Sequence, residues 1–228
     1  MKKLCIILAL LLALCTLCAC PRVEPEEITT TTEEITEPPV STEPYNPIIE
    51  EFARLVKENS DDYDAWEAIG FNEIPAEAEA GSLGYAFKDI NGDRVPELLL
   101  LDKRNLGTAG QPFVWALYTL QNKEEPVLLG QYWSRNRVKI DKEGRIFTVG
   151  SSSAWSLYLD SYELKAGAGE LTHMTEYYTD VDSKGTQFYV MVNQGKNDPL
   201  TEKQFDTLTG LYEKPTWVMH FDFVAIDE

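Results

Sequence analysis

The chain has 228 residues, 43% of them hydrophobic and 25% charged, with 20 basic against 38 acidic side chains and a formal net charge of −18. A surface this acidic excludes broad nucleic-acid binding, which rests on Lys and Arg neutralising phosphates and releasing counterions. All four cysteines, Cys5, Cys15, Cys18 and Cys20, fall in the first 20 residues, so whatever folds after them has no disulfide, thiolate metal site or thiol nucleophile.

Lys2 and Lys3 precede an apolar run over residues 4–17, the charged start and hydrophobic stretch of a secretory signal. A spanning helix is the weaker reading, because crossing the hydrocarbon takes about 20 apolar residues. The segment Leu17-Cys18-Ala19-Cys20 resembles the lipobox of bacterial lipoproteins, with Cys18 standing where that family usually has a small residue. The resemblance implies a signal peptide over 1–19 and a diacylglyceryl group on the Cys20 sulfur. It places the mature chain on a bacterial cell membrane, facing the extracytoplasmic side, since two or more acyl chains hold a protein stably in a bilayer. An ordinary secretory signal with incidental cysteines is the alternative.

Residues 21–47 contain six Pro, six Thr and seven Glu among 27 positions. Such a segment has too little apolar surface to offset the entropy of ordering. With Cys20 it reads as a spacer over 20–47, extended by proline and Glu repulsion to at most about 80 Å. From 48 to 228 the composition is that of one globular domain, still acidic at 17 basic against 31 acidic side chains.

Within it, Asn46-Pro47 followed by IIEEFARLVKE reads as an N-cap, a first-turn proline and apolar residues Ile48, Ile49, Phe52, Leu55 and Val56 at helical spacing. A second short helix is predicted over 63–69. Strands follow over 85–88, 97–102, 113–120, 127–133, 137–140, 145–149, 156–164, 171–178, 187–192 and 217–226, many of them alternating. Thr201 with Gln204 three residues later writes a capping box for a helix reaching about Glu213. The predicted fold is α+β: a mainly antiparallel, meander-like sheet of about ten strands, with a helical N-terminal segment and one helix before the last strand.

One motif carries chemistry. In YAFKDINGDRVPELLLL, the oxygen-bearing Asp89, Asn91, Asp93 and Glu97 occupy positions 1, 3, 5 and 9 of a loop, with the Val95 carbonyl at position 7. A hard cation such as calcium takes six to eight oxygens at about 2.3–2.6 Å. The stretch resembles the calcium loops of FG-GAP, integrin-like and dockerin-type repeats, and the DINGDGxPEL stretch of many surface lipoproteins. That resemblance implies a structural calcium ion on Asp89, Asn91, Asp93, Val95 and Glu97. Arg94 stands at position 6, where the family has a glycine for positive φ, so the expected affinity is weak. The alternative is an ion-free acidic turn held by Asx hydrogen bonds.

Other signals are weaker. Arg135, Arg137 and Lys139 alternate, so a single strand face carrying them forms a possible anion-binding stripe, against an ordinary solvated face. His173 and His220 lack ligand spacing, and Gly150-Ser151-Ser152-Ser153 lacks the second glycine of a nucleophile elbow. The 180–185 stretch reads as a hairpin turn, and most of the five tryptophans as core. The expected function is a lipid-anchored binding or interaction module without chemistry of its own, its partner a cell-wall polymer, glycan or protein. The alternative is a hydrolase acting on wall sugar or peptide through paired carboxylates, which sequence alone does not locate.

Overall fold

A computed structural model of the chain describes residues 40–75, 81–105, 110–153, 156–182 and 184–226. Residues 1–39, which carry the expected signal peptide, Cys20 and most of the expected spacer, and Trp155 lie outside the described residues. The folded body starts earlier than residue 48. Val40 packs against the core, and Tyr45 is fully buried with its hydroxyl donating to the Pro96 carbonyl at 2.9 Å. One buried tyrosine thus ties down a segment whose composition is that of the spacer.

Helix α1 (Asn46–Lys57) begins on Asn46 itself, with Tyr45 at the N-cap after a 3-10 turn Glu43–Tyr45, so Asn46 is not the cap its residue type suggests. Its buried stripe is Phe52 and Leu55. Helix α2 (Tyr63–Ala68) is capped by Asp62, which accepts from the Ala65 amide at 3.2 Å.

Among the described residues, eleven antiparallel strands form two sheets rather than one meander. The first has the order β11-β1-β2-β3-β4, from β1 (Leu83–Lys88), β2 (Glu97–Asp102), β3 (Phe113–Gln121), β4 (Glu125–Gln131) and β11 (Val224–Ala225). The second runs in sequence order through β5 (Asn136–Ile140), β6 (Ile146–Ser153), β7 (Ser156–Leu164), β8 (Leu171–Asp182), β9 (Gly185–Val192) and β10 (Asn197–Leu200). The meander breaks between β4 and β5, where the chain leaves one sheet for the other.

Strand β2 shows why two sheets are needed. Its sequence ELLLLD is apolar on both pleat faces, and every residue is buried. Leu98 and Leu100 pack with Phe52, Leu55, Trp66, Phe71 and Trp115 on the helical side. Leu99 and Leu101 pack with Val138, Ile140, Ile146 and Leu164 of the second sheet. A strand buried on both faces reads as a continuous apolar run, and each leucine so placed contributes about 1.5–3 kcal/mol relative to exposure. On the helical side the rings of Trp66 and Phe71 lie 4.9 Å apart and those of Phe71 and Trp115 5.3 Å apart, giving that core shape-specific packing.

The capping box forms as predicted: Thr201 Oγ1 accepts from the Gln204 amide, and Gln204 Oε1 from the Thr201 amide. Helix α3 (Glu202–Thr209) continues as a 3-10 turn Gly210–Glu213 and packs Phe205 on Phe188 of β9. The strand expected over 217–226 is corrected to the two-residue β11. Its alternation arises from a coil that turns Met219, Phe221 and Phe223 onto the inter-sheet core while His220, Asp222 and Val224 are exposed. β10, absent from the expectation, carries Pro199 and lies at a sheet edge, where a missing amide donor is tolerated. No helix among the described residues is long and apolar enough to cross a membrane.

Candidate functional site

The 89–97 loop joins β1 to β2 and turns its oxygens onto its own backbone. Asp89 accepts from the Gly92 and Arg94 amides at 2.8 and 3.0 Å, Asn91 Oδ1 from the Asp93 amide at 3.1 Å, and Asp93 Oδ1 from the Val95 amide at 2.8 Å. Arg94 adopts φ 70°, the left-handed conformation for which the related motifs use glycine. Asp93 Oδ2 also accepts from the Gly167 amide at 2.9 Å, and Gly167 belongs to the connection between β7 and β8. The loop is thereby tied across from the first sheet to the second.

Glu97 closes the loop from inside. It is fully buried, accepting from the Ile90 amide at 2.8 Å and the Thr119 hydroxyl at 3.0 Å. Burial pushes its carboxyl up to about 7; those two hydrogen bonds oppose the rise, and the Asp93 and Asp89 charges add to it. Among the described residues no group of three or more His, Cys, Asp or Glu side chains is arranged to hold a metal ion. The donor chemistry nevertheless suits calcium, because each bonded carboxylate oxygen keeps a second lone pair.

The basic stripe is only partly assembled. β5 starts at Asn136, leaving Arg135 in the preceding turn, while Arg137 and Lys139 share a strand face. Arg137 Nε donates to the Ser134 carbonyl at 3.1 Å and Lys139 Nζ to the Tyr212 carbonyl at 3.0 Å. His220 is exposed outside any strand. Among the described tryptophans, Trp66 and Trp115 are buried in the core.

A different place collects unexplained polar atoms: a groove of about 750 Å³ between β4 and one face of β6–β8. Along β7, alternation sends Tyr158, Asp160, Tyr162 and Leu164 to the same side. Leu164 and Tyr162 belong to the inter-sheet core, and from Tyr162 back to Tyr158 the face lines the groove. Register places Thr148 and Glu176 directly beside Asp160 on its two neighbours, and Gly150 and Tyr178 beside Tyr158. The opposite wall is Leu128, Leu129, Gly130 and Tyr132.

Two glycines make this packing possible. A Cβ on Gly130 would lie 2.3 Å from the Tyr132 hydroxyl, and one on Gly150 2.3 Å from the Tyr158 hydroxyl. Tyr158 donates to Asn136 Oδ1 at 3.3 Å. Tyr132, only 3% exposed, has no hydrogen-bond partner for its hydroxyl, and Asp160 Oδ1 has none either. Four buried side-chain polar atoms among the described residues lack partners, and these two line one groove.

Burial raises the Asp160 carboxyl above the ordinary carboxylate range, against the pull of His173, whose Nε2 lies 3.7 Å from Oδ1. Burial and then the Asp160 charge raise Glu176. The hydroxyls of Tyr132 and Tyr158 are raised by burial, and that of Tyr162 is pushed up to about 12, so all three stay protonated at neutral pH. Sequence reasoning missed this site because its residues come from five strands and turns. The signals present were a glycine inside the 127–133 strand pattern at 130, a second just past the 145–149 pattern at 150, and the Tyr-x-Asp-x-Tyr alternation of β7.

No protein-family model matches the chain, and no curated protein matches it. A solved structure described as "Structure of a Xanthomonas Type IV Secretion System related protein" is similar at 14% identity and a TM-score of 0.30, over 52% of this chain and 58% of that one. The chain therefore spans less than two thirds of that protein's length, and a TM-score this low sets no fold relationship.

Proposed function

We propose that this chain is a lipid-anchored, extracytoplasmic binding module. Its ligand site is the groove between β4 and β6–β8, and its 89–97 loop is a calcium-strengthened brace between the sheets. The observation that supports binding most directly is the Tyr132 hydroxyl, buried against Gly130 without a partner in a groove whose other wall is polar. Buried polar groups are almost always satisfied, so an orphan on a groove-lining residue marks where the ring, shifted toward the groove, completes its bonding to a ligand atom. Calcium on Asp89, Asn91, Asp93, Val95 and Glu97 would relieve the repulsion among three carboxylates that the fold holds close together. Anchoring rests on Cys20: Cys20→Ala moves the protein out of the membrane fraction, and its retention there refutes the anchor.

A second reading, a hydrolase acting on wall sugar or peptide, draws on the direct pairing of Asp160 with Glu176, both raised by burial. One experiment separates the two. The full chain is titrated calorimetrically against wall polymers, glycans and peptides, while product is followed as new reducing ends or free amines. Saturable heat without product, lost in Tyr158→Ala, is the binding result; turnover abolished by Asp160→Asn establishes the hydrolase instead.

A further inference from the structure

We propose that the groove selects an alkylammonium group, a protonated amine on an aliphatic chain, and this rests on the binding reading above. Three carboxylates, Asp160, Glu170 and Glu176, line the groove and no Lys or Arg does. An anionic ligand is therefore repelled, and the net charge of −18 adds long-range attraction for cations. Asp160 and Glu176 are direct cross-strand neighbours, so their carboxylates share one side of the sheet.

The remaining lining divides between the two ends of such a ligand. Leu129 and Leu171 offer apolar surface suited to methylenes, while Tyr158 and Tyr162 flank Asp160 on β7. Tyrosine rings attract a cation over their faces, most strongly where water is excluded. An ammonium carries three N–H donors and no acceptor. The acceptors without partners here are Asp160 Oδ1 and the Tyr132 hydroxyl oxygen, which supply what such a group lacks. His173 Nε2, 3.7 Å from Asp160 Oδ1, is within ion-pair range of that oxygen but makes no hydrogen bond to it.

The chemistry is shared by free diamines and by lysine side chains of a peptide, and the test distinguishes them. The full chain is titrated by calorimetry with cadaverine, with a lysine-containing tripeptide blocked at both ends, with the same peptide acetylated on its lysine, and with a neutral chito-oligosaccharide. Asp160→Asn combined with Glu176→Gln is compared with wild type, its fold checked by near-ultraviolet circular dichroism. Glu163→Gln, an exposed residue on the opposite face of β7, serves as the control. At least one amine binds, acetylation abolishes the peptide's heat, and the double variant loses affinity at least about tenfold while Glu163→Gln stays within about twofold. If the double variant does not fold, Tyr158→Leu takes its place with the same expected direction. Heat from cadaverine alone assigns a free amine, and heat from the peptide alone a polypeptide. Equal affinity in a folded variant, or equal heat from the acetylated peptide, overturns the proposal. An oligosaccharide that binds in place of the amines, and is lost in the same variant, overturns the ligand class while leaving the groove as the site. Silence from every probe overturns both.

Discussion

Removing one oxygen atom from Tyr132 should make the protein more stable and a poorer receptor. The hydroxyl is buried with no partner, and burial holds it neutral. An unpaired buried hydroxyl costs about 1–3 kcal/mol, and the vacancy left by one oxygen costs at most about 1 kcal/mol. Tyr132→Phe is therefore expected to stabilise the fold by about 1 kcal/mol, raising Tm by about 2–4 °C for a domain of this size. Tyr45→Phe supplies the contrast. That hydroxyl donates to the Pro96 carbonyl at 2.9 Å, and its loss should destabilise by about 1 kcal/mol. Urea unfolding of both variants and wild type, compared at equal slope, measures the difference. A Tyr132→Phe protein less stable than wild type by a similar amount would show that the fold itself satisfies the hydroxyl, and the groove would lose its orphan.

Glu97 makes a pH prediction. Its carboxyl is raised from 4.5 to about 7, so the protonated form is favoured by folding. Stability is full below about pH 4.5 and declines as pH rises through about 7, by roughly 3 kcal/mol at most. In chelator-treated protein Glu97→Gln abolishes that decline; parallel pH curves for variant and wild type would refute it. Calcium at about ten times its dissociation constant should restore about 1.4 kcal/mol to wild type at alkaline pH and less to the variant, read as a shift in urea midpoint. Leu99→Ala, at the contact of the two sheets, should cost about 2–5 kcal/mol without changing the unfolding slope.

Local structure was largely written in the sequence where one physical signal dominated. The Thr201/Gln204 box set the start of α3, and ELLLLD, bounded by charged residues, marked β2 without ambiguity. What alternation does not encode is partition between sheets. β4 and β5 follow one another with patterns that would equally suit adjacent strands, and only the need to cover both faces of β2 separates them. Alternation over 217–226 misled because a coil crossing a core also buries side chains at intervals. Tyr45 was hidden by its Pro and Glu neighbours, since a single long-range anchor leaves no local period.

The acidic loop was legible as a motif because its oxygens are consecutive in sequence. The groove was not, because Tyr132, Tyr158, Asp160 and Glu176 meet only through strand register. Gly130 and Gly150 carried its trace, each making room for a tyrosine hydroxyl that a larger residue would displace.

The claim that the groove is the ligand site is tested most directly by fluorine NMR of the full chain labelled with fluorotyrosine, titrated with cadaverine and with the lysine peptide. The resonances of Tyr132, Tyr158 and Tyr162 should move together and saturate, while that of Tyr63, on helix α2 outside the groove lining, stays in place. Saturable shifts confined to tyrosines outside the groove, with those three unmoved, would contradict it.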